Sequence, residues 1–204
     1  MRRALTLAGY ESSGVLKLIG KQNFDTFDLS YYRGAERDNM AYILGVAKEY
    51  AAAFDGKTMR NLLFMGTTGL GKTHLSSAIA KQIVERGFDV VYESAQKVFS
   101  DFEAEKFGRA PQGTALTERY LACDLLILDD LGTEMQSQFT VSCLYSLINT
   151  RLISEKSMII STNVTKEELL AKYTDRITSR LFGEFKVCVF AGKDIRLQKK
   201  LEQR

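Results

Sequence analysis

Apolar positions along the chain switch between two periods. Asn61 to Met65 and Leu125 to Leu128 are apolar runs of strand length, and Phe88 to Tyr92 and Met158 to Ser161 read as two further strands. Between them the period becomes helical. Met40, Ile43, Leu44, Ala47 and Tyr50 or Ala51 share one face of a helix over 36–54, with a strand over about 60–66 behind it. Leu75, Ile79 and Ile83, with Ala78 and Ala80, predict a helix running to about Arg86, where Gly87 breaks it. Ser94 is placed to cap a helix through about Lys106. After a loop around Pro111, a helix is expected from Thr114 to Cys123. Val141, Leu144, Leu147, Ile148 and Leu152 face inward on a helix from about Ser137 to Ser154. Short helices near 166–173 and 175–182, a strand near 185–190 and a basic tail from Lys193 to Arg204 complete the pattern.

Strands apolar on both sides, alternating with helices, mean a parallel sheet covered on both faces. Such sheets bind ligands beyond the carboxyl ends of their strands. That rule gathers Gly66 to Thr73, the turn after Tyr92, Asp129-Asp130 and Ser161-Thr162-Asn163 in one place.

Composition changes this picture little. At 204 residues one domain is the default. A net charge of +3 neither demands nor excludes a nucleic-acid partner. No apolar run approaches the ~20 residues of a membrane span. Met1-Arg2-Arg3 is followed by too short an apolar stretch, without a cleavage site, to be a signal peptide, so a cytoplasmic protein is expected. Cys123, Cys143 and Cys188 have no zinc spacing and read as buried reduced thiols; His74 is the only histidine.

Chemistry concentrates in Gly66-Thr67-Thr68-Gly69-Leu70-Gly71-Lys72-Thr73, which fits G-x-x-x-x-G-K-[ST] with a strand before it and a helix after it. In such a loop backbone amides and the helix N-terminus cradle phosphates. Lys72 would reach the β- and γ-phosphates of ATP, and the Thr73 hydroxyl would hold Mg²⁺. Asp129, ending the apolar strand, would bind the same Mg²⁺ through water; Asp130 is placed as general base, with Glu134 an alternative. Asn163 sits where a polar side chain could orient the attacking water. Arg176 and Arg180 share a helix face, either solvated or reaching a neighbouring subunit's nucleotide. The aromatic cluster from Phe24 to Tyr32 either pins a loop to the domain edge or stacks on a purine. A strand and a helix between the glycine loop's strand and the Asp129 strand exclude a kinase-like order.

In sequence order, 26–32 (Thr-Phe-Asp-Leu-Ser-Tyr-Tyr), 69–75 (Gly-Leu-Gly-Lys-Thr-His-Leu), 125–132 (Leu-Leu-Ile-Leu-Asp-Asp-Leu-Gly), 159–163 (Ile-Ile-Ser-Thr-Asn), 176–181 (Arg-Ile-Thr-Ser-Arg-Leu) and 192–196 (Gly-Lys-Asp-Ile-Arg) resemble the AAA+ ATPase domain of bacterial replicative-helicase loaders of the DnaC/DnaI type. The related IstB-type transposition helpers look similar, and the likeness covers about residues 20 to 200. It implies a three-layer αβα P-loop fold with five parallel strands ordered 5-1-4-3-2 and little or no C-terminal lid. The expected division is an entry segment over 1–35 and the ATPase domain over 36–204, the loaders' N-terminal helicase-binding domain having no counterpart. The resemblance further implies ATP and Mg²⁺ as cofactors, Asn163 as sensor 1, Arg180 with Arg176 close by as the trans-acting finger, and Arg196 as sensor 2. His74 joins the ATP-binding stretch. Lys97, Lys106 and Arg109 become candidate phosphate contacts on a single-stranded DNA path, unless they form a solvated face. The implied function is ATP-driven loading of a replicative helicase onto single-stranded DNA by self-associating subunits. The alternatives are a transposition helper acting with a transposase on duplex DNA, and a non-hydrolysing binding module.

Overall fold

The computed structural model describes residues 22–111 and 115–202. The short helix expected before Gln22 and Thr114 itself lie outside them; the helix expected from Thr114 begins only at Glu118, residues 115–117 being coil and turn. Five strands form one sheet: β1 (Asn61–Met65), β2 (Val90–Ser94), β3 (Leu125–Leu131), β4 (Ser157–Thr162) and β5 (Lys186–Val189). The order is β2-β3-β4-β1-β5, and every pairing is parallel. This is the expected 5-1-4-3-2 sheet. The helices are α1 (Ala35–Ala53), α2 (Lys72–Glu85), α3 (Ala95–Lys106), α4 (Glu118–Ala122), α5 (Gln138–Ile153), α6 (Lys166–Lys172), α7 (Asp175–Gly183) and α8 (Ile195–Glu202).

Alternation along the strands splits the core in two. Leu62, Phe64, Leu125 and Ile127 face α1 and α2, whereas Leu63, Met65, Leu126 and Leu128 face the layer built by α3 to α7. Phe27 and Tyr32 are buried in the first of these clusters, so residues 27–32 contribute to the core. Each such side chain contributes about 1.5–3 kcal/mol by leaving water.

Three expectations need correction. The second strand begins at Val90, because Phe88 turns aside to pack edge-on against Phe54 while the Asp89 carbonyl accepts the Asp124 and Leu125 amides. On α5 the inward face includes Arg151 as well as the partly buried Leu152; Arg151 is fully buried, with its guanidinium donating to the carbonyls of Tyr120, Cys123 and Ser157. The basic tail is a helix, α8, nucleated by the Asp194 carboxylate, which accepts the Arg196 and Leu197 amides. All three cysteines are free and buried.

Candidate nucleotide site

β1 ends at Met65, and the chain turns through the glycine loop into α2 at Lys72. All three glycines of the loop are sterically required, Gly66 because a side chain there would lie 2.5 Å from the Phe190 carbonyl oxygen. A side chain at Gly69 would lie 2.1 Å from the Asp194 carboxylate, and one at Gly71 would lie 2.7 Å from the Phe27 ring. Both have positive φ, 81° and 91°. The loop is clamped from outside: the Tyr32 hydroxyl donates to the Leu70 carbonyl at 2.8 Å, and the Ile195 amide donates to the Gly69 carbonyl at 3.0 Å. The aromatic cluster therefore supports the phosphate loop, and Phe27 and Tyr31 also line the cleft. Lys72 is buried, and its ammonium donates to the carbonyls of Gly66 at 2.5 Å and Thr67 at 2.8 Å. Burial holds its pKa below the usual lysine value, while the charges of Asp130 and Asp129 oppose that shift.

Across the cleft, β3 carries an irregularity that separates its two carboxylates. Leu128 pairs with Ile160 but Leu131 with Thr162, so β3 holds one extra residue there. Asp130 sits in that bulge at φ 57°, an uncommon conformation for a non-glycine residue. Asp129 stays buried while Asp130 is exposed to the cleft. Asp129 is fully engaged. One oxygen accepts the Tyr92 hydroxyl at 2.7 Å and the Thr73 hydroxyl at 3.2 Å; the other accepts the Ser161 hydroxyl and the Asp130 amide. Burial, followed by the adjacent carboxylate, raises the Tyr92 phenol well above its ordinary pKa, so it remains a donor. The Asn163 amide donates to Asp130 at 2.9 Å.

Thr68 to His74, Asp130, Asn163, Arg196 and Lys199 line one cleft with Gln22, Thr26, Phe27, Asp28, Tyr31 and Ile195. Gly66 and Thr67 form the loop's approach, with Thr67 exposed. His74 Nε2 lies 2.8 Å from the Asn23 carbonyl, and burial lowers its pKa, so the ring serves as a neutral donor there. Donors for a metal are in place. The Thr73 hydroxyl and the Asp129 carboxylate are already in contact, and a hydroxyl with an aspartate is the oxygen pair that suits Mg²⁺.

Other expected residues lie elsewhere. Glu134 is buried away from the cleft, accepting the Gly132 amide at 2.8 Å and the Tyr173 hydroxyl. Arg180 leans across to α5, with its guanidinium 4.8 Å from the Tyr145 ring centre and donating to Asn149 at 2.8 Å. Arg176, one turn earlier, is exposed. Lys97 is paired with Asp101, which also accepts the Tyr120 hydroxyl. Lys106 and Arg109 are exposed, and both lie over the ring of Phe107, which is 56 % exposed; Lys106 also lies 4.8 Å from the Phe139 ring centre. Tyr92, Ser161 and Gln22 were not foreseen. An inward hydroxyl near the end of each of the two strands that flank β3 was the available signal for the first two.

Solved structures share this frame. The DnaC helicase loader superposes with a TM-score of 0.73 at 23 % identity, covering 86 % of this chain and 99 % of that one. A replication initiator DnaA bound to AMPPCP and single-stranded DNA gives 0.68 at 25 % identity, covering 90 % and 55 %. In sequence, the chromosomal replication initiator protein DnaA of Campylobacter fetus subsp. fetus is 29 % identical over 145 residues, 71 % of this chain but 32 % of that protein. The replicative helicase loader DnaC of Escherichia coli K12 is 23 % identical over 172 residues, 84 % of this chain and 67 % of that one. The chain thus spans about a third of the DnaA and two thirds of the DnaC. No helix among the described residues is long and apolar enough to cross a membrane. The model of the IstB-like ATP binding protein family matches residues 13–203, and with the phosphate loop, the paired strand-end aspartates and the sheet order all in place, the chain belongs to that family.

Proposed function

We propose that the chain is an ATPase of DNA replication that loads a replicative helicase onto single-stranded DNA and hydrolyses ATP at a site shared between copies. The observation that carries this reading is the pair of hydrogen bonds, Thr73 to Asp129 and Asn163 to Asp130, which join the phosphate loop and the ends of β3 and β4 into one constellation. Lys72 exchanges its two loop carbonyls for β- and γ-phosphate oxygens. Thr73 and Asp129 would hold Mg²⁺, which would supply charge neutralisation at the phosphates. The Tyr92 and Ser161 hydroxyls fix the rotamer of Asp129. Asp130, lifted out of the strand by the bulge, takes the proton of the attacking water, and Asn163 orients that carboxylate. Arg196 adds positive charge at the rim. A neighbouring copy supplies Arg180, with Arg176 beside it, as the finger.

Lys106 and Arg109, with the Phe107 and Phe139 rings between them, offer cations and a stacking surface to single-stranded DNA. The DnaA solved with single-stranded DNA supports this partner class. The family match supports a second reading, a transposition helper that uses the same engine with a transposase on duplex DNA.

Asp130→Asn tests the proposal. The variant should bind ATP within about threefold of the parent and turn over roughly 100-fold more slowly, the usual loss when a general base is removed. Held in the ATP state, it should retain a hexameric helicase from extract of its own cells. Unchanged turnover contradicts the assignment of the base, and recovery of a transposase selects the second reading.

A further inference from the structure

Arg180 is held by its own chain on three sides. Its guanidinium lies over the Tyr145 ring, 4.8 Å from the ring centre, on the neighbouring helix α5. One terminal nitrogen donates to the Asn149 side-chain oxygen at 2.8 Å and to the Tyr145 hydroxyl at 3.3 Å. The other donates to the Arg176 carbonyl at 2.9 Å, one turn back on α7. Tyr145 and Asn149 stand four residues apart on α5, so the ring and the carboxamide share one helix face. An arginine grips a phosphate with two parallel N–H bonds from one edge of its planar fork. No such edge is free here. The nitrogen that meets Asn149 and Tyr145 has both hydrogens engaged, and each edge that offers paired donors uses one of them.

We infer that Tyr145 and Asn149 hold Arg180 withdrawn, and that its release sets the protein concentration at which the shared site turns on. The inference rests on Arg180 acting as the finger, as proposed above. Release exchanges the Asn149 oxygen, the Tyr145 hydroxyl and the Arg176 carbonyl for phosphate oxygens of a neighbouring copy's nucleotide. The exchange is favourable, because charged oxygens accept guanidinium hydrogen bonds more strongly than neutral ones. The broken contacts nevertheless subtract from the affinity of one copy for the next. A lone chain keeps its arginine on its own surface, and a nucleotide-loaded neighbour draws it out.

The test is ATP turnover per subunit of the full chain, followed against protein concentration. Asn149→Ala removes the nearest acceptor, so the half-maximal concentration should fall about five- to tenfold, the worth of one net hydrogen bond. Turnover at saturation should stay within about twofold of the parent, because the released arginine is the same. Asn149→Asp is nearly isosteric and makes the acceptor a carboxylate, so the half-maximal concentration should rise about tenfold. Tyr145→Phe keeps the ring under the guanidinium and should stay within about twofold of the parent. A merely structural role for Asn149 would not move its two variants in opposite directions. Shifts in the same direction, no shift in either, or a loss of saturating turnover in Asn149→Ala overturns the inference. Arg180→Ala separates the two levels. If it turns over fully, the shared site itself is wrong; if it is idle while the Asn149 variants leave the half-maximal concentration unchanged, only the hold on the finger is wrong.

Discussion

The glycine-loop wall of the cleft and the arginine face of α7 carry the same kind of chemistry in opposite states of organisation. On the first, each charged group sits among fixed partners. Lys72 is held by two carbonyls, Asp129 by three side chains and an amide, and Asp130 by Asn163. On the second, Arg176 is exposed and Arg180 lies half-buried along Tyr145 and Asn149, contacts available on any helical surface. One side is pre-organised within the chain, which makes transition-state stabilisation inexpensive at the moment of reaction. The other side leaves Arg176 exposed and holds Arg180 only along its own helical surface, away from the cleft. Under the proposed function, a catalytic site built from such halves is complete only when two copies meet.

Breaking the organised half should have the largest effect. Lys72→Ala removes the ammonium proposed to bridge the phosphates, and nucleotide affinity should fall roughly 100-fold or more in an equilibrium titration, the worth of two charge-assisted hydrogen bonds. Turnover disappears with it. Glu134 sharpens the comparison more mildly, because it lies beneath the site and not in it. Glu134→Ala orphans the Gly132 amide and the Tyr173 hydroxyl, so denaturant unfolding should show about 2–3 kcal/mol of lost stability. The remaining folded protein should turn over within about threefold of the parent, as fits a structural role; the far larger loss of a general base would transfer that role from Asp130 to Glu134.

Much of the organised half was legible in the chain because its determinants are local. A strand, a glycine loop and a helix follow one another without interruption from Asn61 to Glu85, and an apolar run ends in two aspartates at Asp129-Asp130. What stayed hidden depends on register and on irregularity. Tyr92 reaches Asp129 because β2 pairs with β3, and Ser161 reaches it from β4, a pairing no single stretch encodes. The opposite exposures of Asp129 and Asp130 follow from a bulge, whereas the sequence shows only two adjacent carboxylates. Glu134 read as a possible base from its spacing, and its burial against Tyr173 is a tertiary outcome. The stretch that forms α8 looked like a charged tail, and its capping by Asp194 became visible only in the fold. Lys97 looked as available as Lys106 until its pairing with Asp101 four residues on distinguished them.

The shared site is tested most directly by complementation. ATP turnover per subunit would be measured against protein concentration for Arg180→Ala alone, for Lys72→Ala alone, and for their mixture. The account predicts that the parent's rate per subunit rises with concentration, and that Arg180→Ala binds ATP normally yet stays at the rate of the dilute monomer. Lys72→Ala subunits, which keep their arginine, should restore turnover when mixed with Arg180→Ala subunits, which keep their phosphate loop. A parent rate independent of concentration, together with full turnover by Arg180→Ala on its own, would contradict a site completed by a second copy.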